Sequence, residues 1–175
     1  MTSTPAASNS AVATDDFQKE QTAIVEITQI LGPNQIGEKA TLPSALYIPH
    51  PGEFPADALR LPWSNRTESA VVGHFARDHG ALLPDRLVTS AKSWLSNFHI
   101  DPKRAVLPWK SDINEQKLSA FDCSRLYLEH LKEGFLYRER FQGGDWNLSE
   151  GQTVLTVPAS FDEVARNMTA EAAEA

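Results

Sequence analysis

A single cysteine in 175 residues leaves no internal disulfide, so Cys123 cannot staple this fold and points to a reducing compartment. No apolar run approaches the length of a membrane span. The stretch from Met1 to Ser10 is small and polar, with neither a basic start nor an apolar core, so no secretory signal is evident. The Asn-x-Ser/Thr triplets at Asn65, Asn147 and Asn167 therefore read as chance matches. Positive charge is also short. Sixteen Lys and Arg against 23 Asp and Glu give a net charge of −7, which argues against coating DNA or polyphosphate. Neither Gly-x-x-x-x-Gly-Lys-Ser/Thr nor Gly-x-Gly-x-x-Gly occurs, so the common mononucleotide and dinucleotide loops are missing. The five histidines lack metal-ligand spacing: His74 and His79 are five apart, no cysteine pair accompanies them, and His50, His99 and His130 read as surface or core residues. The expectation is a cytoplasmic chain without a nucleic-acid or membrane partner.

What is present suffices for one domain with a core. Apolar residues make up 41% and charged residues 22%, which is not a disordered composition. Met1 to Ser10 is rich in Ser, Thr and Ala, and its start reads as disordered. Thr22 to Leu31 alternates enough to predict a half-buried strand, and Gly32-Pro33-Asn34 a turn. Short strands are predicted at Leu46-Tyr47-Ile48 and Ala70-Val71-Val72, with an irregular, proline-rich insertion over His50 to Trp63. Three helices follow. The first covers His74 to His79. The second follows Pro84-Asp85, with Leu87, Ala91, Trp94, Leu95 and Phe98 on one face. The third starts at Ser119 with Asp122 as its capping partner and Phe121, Leu128, Leu131 and Phe135 as its buried stripe. Gln142 to Asp145 reads as a turn. Val154, Leu155 and Val157 predict a strand covered on both faces and stopped by Pro158. Ser160 and Glu163 form a capping box for a last helix carrying Val164, Met168 and Ala172. Strands interleaved with helices indicate an α/β class. Cys123 has no adjacent base and reads as a buried, inert thiol, and the irregularly spaced Trp63, Trp94, Trp109 and Trp146 read as core and loop anchors.

The segment Thr156-Val157-Pro158-Ala159-Ser160-Phe161-Asp162-Glu163-Val164-Ala165-Arg166, with Thr169, Glu171 and Ala172 beyond it, resembles a stretch of the seventy-kilodalton heat-shock protein, or DnaK-type, chaperone family. The likeness is greatest to a divergent bacterial branch that reads VPASFDEVAR here. Ala40 to Leu46, Val72-Gly73-His74-Phe75-Ala76 and Leu87 to Leu95 resemble further segments of the family in the same order. Asn9 to Ala13 resembles the tail of its first phosphate loop. The resemblance implies an incomplete first lobe of an actin-like (ribonuclease H-like) ATPase domain over residues 16–175, with a mixed sheet and flanking helices. Residues 1–15 would be a degenerate segment holding a remnant of the phosphate loop.

The resemblance also implies site residues. Lys92 aligns with the family's catalytic lysine. Pro158 and Arg166 align with its interdomain switch proline and arginine, and Ser8, Asn9 and Ser10 with nucleotide-binding positions. ATP and Mg²⁺ would be the cofactors, and unfolded polypeptide clients and cochaperones the partners. The sequence departs from the family where the phosphate loop needs an aspartate and Gly-Thr-Thr: Thr4, Ala6, Ala7 and Ser8 stand there. The expectation is thus a fragment of a chaperone ATP-binding domain that does not catalyse alone. The alternatives are a non-catalytic protein-interaction module or a decayed gene fragment.

Overall fold

The computed structural model describes residues 24–64, 69–109, 111–113, 116–142 and 152–175. The remnant phosphate-loop positions Ser8, Asn9 and Ser10, the start of the first predicted strand and most of the Gln142–Asp145 turn lie outside the described residues. The first described elements form a hairpin, β1 (Ile27–Gly32) and β2 (Gln35–Lys39), antiparallel and joined at the predicted Gly-Pro-Asn turn. Asn34 takes the left-handed conformation the turn requires, at φ 57. Three two-residue strands form a second antiparallel sheet, in the order β4 (Val71–Val72), β3 (Leu46–Tyr47), β5 (Leu87–Val88). The helices are α1 (His74–Gly80), α2 (Ala91–Leu95), α3 (Ala120–Gln142) and α4 (Glu163–Glu174). The architecture mixes helices with small antiparallel sheets.

The second sheet divides the interior. Strand residues alternate between faces, so a two-residue strand sends one side chain to each side. Leu46, Val72 and Val88 face one core with Leu95, Cys123, Tyr127 and Phe161. Tyr47, Val71 and Leu87 face the other with Ile30, Leu59 and Phe75. The strands are apolar throughout because both faces are covered. Helix α3 packs against α2, α4, β1 and β4. Its start is the predicted Ser119–Asp122 capping box: the Asp122 amide donates to the Ser119 hydroxyl at 2.9 Å, and that hydroxyl donates to the Asp122 carboxylate at 2.6 Å.

Several sequence expectations need correction. The helix expected after Pro84-Asp85 is split into a 3₁₀ turn (Pro84–Arg86), β5 and the short α2. Pairing of Leu87 and Val88 with β3 draws these residues out of a helix, and Phe98 is exposed rather than on a buried face. The buried face of α3 runs through Ala120, Cys123, Ser124, Tyr127 and His130, whereas Leu131 is exposed and Phe121, Leu128 and Phe135 are half-buried. Polar and small residues occupy the tight contact with β1, which a search for large apolar side chains overlooks. The strand expected at Val154–Val157 has no ladder partner among the described residues, and Val154 and Leu155 are 74% and 43% exposed. Without a neighbour to hydrogen-bond, apolar residues alone do not make a strand. Asp162, not Ser160, caps α4, accepting from the Ala165 amide at 2.8 Å. Ala165 and Ala172 are the buried residues of α4, and Val164 is exposed.

Gly73, ahead of α1, sits at φ 93, and an added Cβ would lie 2.4 Å from the Gln29 Oε1 and 2.7 Å from Leu42 Cδ1. Gly73→Ala should lose about 1–3 kcal/mol or more, read as a lowered urea midpoint, since both the dihedral and the space forbid a side chain. His130 is 6% exposed and its Nε2–H donates to the Thr28 carbonyl at 3.0 Å. Burial pulls its pKa down to about 4, although the bond to Thr28 opposes the shift. The folded chain therefore binds the His130 proton less readily than the unfolded chain does. Stability should fall as pH drops from about 6.5, the unperturbed histidine value, towards that lowered value. Urea titrations at pH 7, 5.5 and 4 should show this slope, and His130→Gln should flatten it.

Candidate functional site

Lys92 stands on the first turn of α2, with its side chain exposed. Pro158 ends the extended stretch before α4, and its carbonyl accepts from the Phe161 amide at 3.0 Å. These residues, distant in sequence, line one cavity of about 240 Å³. Leu95, Ser124, Tyr127 and Phe161 are its buried lining, and Lys92, Leu131, Leu155, Thr156 and Pro158 are its exposed rim. Leu42, Ser44, Leu128 and Thr169 complete it. Among the described residues Lys92 is the only charged one on this wall. Arg166 does not line the cavity. It is an exposed residue of α4, so the structure brings together Lys92 and Pro158 but not Arg166.

The hydroxyls of the lining differ in what they have left to offer. Ser124 donates to the Ala120 carbonyl at 2.9 Å and Thr169 to the Ala165 carbonyl at 2.7 Å, the usual back-bonding within a helix. Tyr127 is 7% exposed, and its buried hydroxyl has no hydrogen-bond partner. Burial and the neighbouring Cys123 push the Tyr127 pKa upward, so the phenol stays protonated and can donate. Among the described residues no carboxylate lines the cavity to hold the water shell of a magnesium ion. The donor set thus suits a single anionic group beside apolar surface and does not fit magnesium triphosphate by itself.

A second cluster lies on the other side of the dividing sheet. The Tyr47 hydroxyl donates to the Glu53 carboxylate, 2.7 and 2.8 Å from its oxygens. The His50 amide and His79 Nε2 donate to it as well, at 2.8 and 2.9 Å. Phe75 stacks on the His79 ring at 4.9 Å, with Tyr47 edge-on at the same distance. Burial tends to raise the Glu53 pKa, but the bonds from His50, His79 and Tyr47 prevail and hold it below the ordinary value. Every donor here is used within the cluster, and no nucleophile adjoins it. Its work is to fasten the irregular insertion after β3 onto α1. Sequence reading missed it because its members are scattered over a segment without periodicity.

Among the described residues no group of three or more His, Cys, Asp or Glu side chains is placed to hold a metal ion. No helix among them is long and apolar enough to cross a membrane. No protein-family model matches this chain, and neither does any curated protein.

Cys123 is fully buried, and burial, followed by the nearby Asp122 charge, pushes its thiol up to about 12. Native protein at neutral pH should resist iodoacetamide, and one equivalent should react once urea unfolds the chain. Fast labelling of the native chain would show that the core around α3 opens.

Proposed function

We propose that this chain is part of the first lobe of a DnaK-type chaperone ATPase domain, contributing one wall of a nucleotide cleft and not catalysing alone. In such chaperones ATP hydrolysis is coupled to binding and release of unfolded polypeptide. The observation that carries this reading is the meeting of Lys92 and Pro158 on one cavity. Both positions come from separate segments that resemble the family, and a chance likeness of short segments has no reason to bring them together. The geometry of Gly73 agrees with it, because the Val72-Gly73 segment of the resemblance has a glycine where the backbone needs a positive φ. The actin-like fold belongs to the same proposal, as do the nucleotide-binding role of Ser8, Asn9 and Ser10, the switch role of Pro158 and Arg166, and a cytoplasmic setting.

On this reading Lys92 would place its ammonium towards transferring phosphate, where positive charge stabilises the developing negative charge. The cavity wall supplies no magnesium ligand, so the rest of that chemistry would need other residues. A second reading, a non-catalytic interaction module, is favoured by the exposed apolar side chains of Phe98, Trp109, Val154 and Leu155.

The 175-residue chain should release no phosphate from MgATP above the buffer rate. Release that disappears in Lys92→Ala would overturn the non-catalytic assignment. The mass of the native product separates the two readings. A product well above 19.3 kDa, with a reading frame continuing into a glycine-rich second phosphate loop, is expected for the chaperone. A native product of 19.3 kDa would favour the interaction module.

A further inference from the structure

The cavity beside Lys92 carries an inference that does not depend on the chaperone reading. Its wall combines three features. The bulk is apolar, through Leu42, Leu95, Leu128, Leu131, Leu155 and Phe161. One charge, the Lys92 ammonium, stands on the exposed rim, and no acidic side chain opposes it on the lining. Tyr127 packs its ring into the buried lining, with its hydroxyl shut away from the cavity. Ser44 and Thr156 add two hydroxyls on the same wall.

We propose that this cavity binds a small monocarboxylate with an apolar body. The carboxylate would accept from Lys92 and from the Ser44 and Thr156 hydroxyls, and the hydrocarbon would cover the leucine and phenylalanine surface. Charge complementarity selects an anion, and the single cation selects one charge rather than several. Size selects a small molecule. A volume of 240 Å³ is that of about eight water molecules, below the range for drug-sized ligands. A linear acid of six to eight carbons, or a benzoate, matches that volume. A magnesium triphosphate does not match the lining, since half of it would face leucine with no cation to meet it.

The test is calorimetric titration of the 175-residue chain with sodium octanoate, octanol, octylammonium and MgATP in turn. Octanoate should bind saturably at one site. Octanol, with the same body and no charge, should bind about tenfold more weakly, and so should octanoate to Lys92→Met, each having lost a charge-assisted hydrogen bond. Octylammonium should not compete. Non-saturable uptake of octanoate, or octanoate affinity equal in the native chain and in Lys92→Met, would overturn the proposal. MgATP binding that requires Lys92, with no octanoate binding, would overturn this proposal and leave the chaperone reading standing. Octanoate binding without MgATP binding would support this proposal, and the mass of the native product would still decide the chaperone reading.

Discussion

The buried amide of Gln29 is the interaction on which the rest of this structure depends. Gln29 is fully buried in β1, where an uncharged amide can satisfy both donor and acceptor partners. Its Nε2 donates to the Thr41 carbonyl at 3.0 Å and to the Ile27 carbonyl at 3.3 Å, while its Oε1 accepts from the His74 amide at 3.0 Å. One side chain thereby joins the hairpin, the link that leaves β2 and the first turn of α1. Gly73 completes the junction, because only a residue without Cβ leaves room for the amide, and its own N–H donates to the Ala45 carbonyl at 3.0 Å. An apolar residue at position 29 would leave the His74 amide and the Thr41 carbonyl without that partner.

From that junction the two cores follow. Fixing α1 places Phe75 and His79 over Tyr47, which closes one core and anchors the proline-rich insertion through Glu53. The other residue of each strand closes the other core from the sheet's opposite face, so the hairpin junction and the α2–α3–α4 groove are mechanically linked through strands only two residues long. The neutral His130 ties the groove's central helix back to β1 through the Thr28 carbonyl. A charged group there would be desolvated without a counter-ion, which is why burial keeps the imidazole uncharged.

The sequence made legible whatever depends on neighbours along the chain. The Gly-Pro-Asn turn, the short strands at Leu46 and Val71, the helix at His74 and the Ser119–Asp122 cap all follow from local rules, and all are present. What depended on partners far along the chain was not legible. The segment at Val154–Val157 has strand composition, but composition cannot supply a ladder. Leu87 and Val88 suit a helix face until β3 offers them hydrogen bonds. The buried face of α3 was misplaced because it consists of Ala, Cys, Ser, Tyr and His, which a search for a stripe of Leu and Phe passes over. Of the candidate site, Lys92 and Pro158 were named from the sequence, whereas Tyr127 and the leucines around them were found only by their placement. Nothing in a sequence window indicates that Leu42 and Leu155 border the same space.

Both readings of the groove draw on one charge, and they differ in what that charge stands beside. An ammonium on a rim next to a low-dielectric floor attracts an anion more strongly than the same ammonium surrounded by water, whatever the anion is. Selection therefore rests with the remaining contacts. A phosphate chain asks for several donors and a metal along its length, whereas a carboxylate asks for two or three donors at one end and apolar surface elsewhere. The wall beside Lys92 has hydroxyls at Ser44 and Thr156 and six large apolar side chains. For phosphate to be the better guest, a second wall would have to bring in the acidic and basic groups that this one lacks. The specificity of the groove is then a property of what faces it, and the identity of that facing surface carries more information about function than any further residue of this wall.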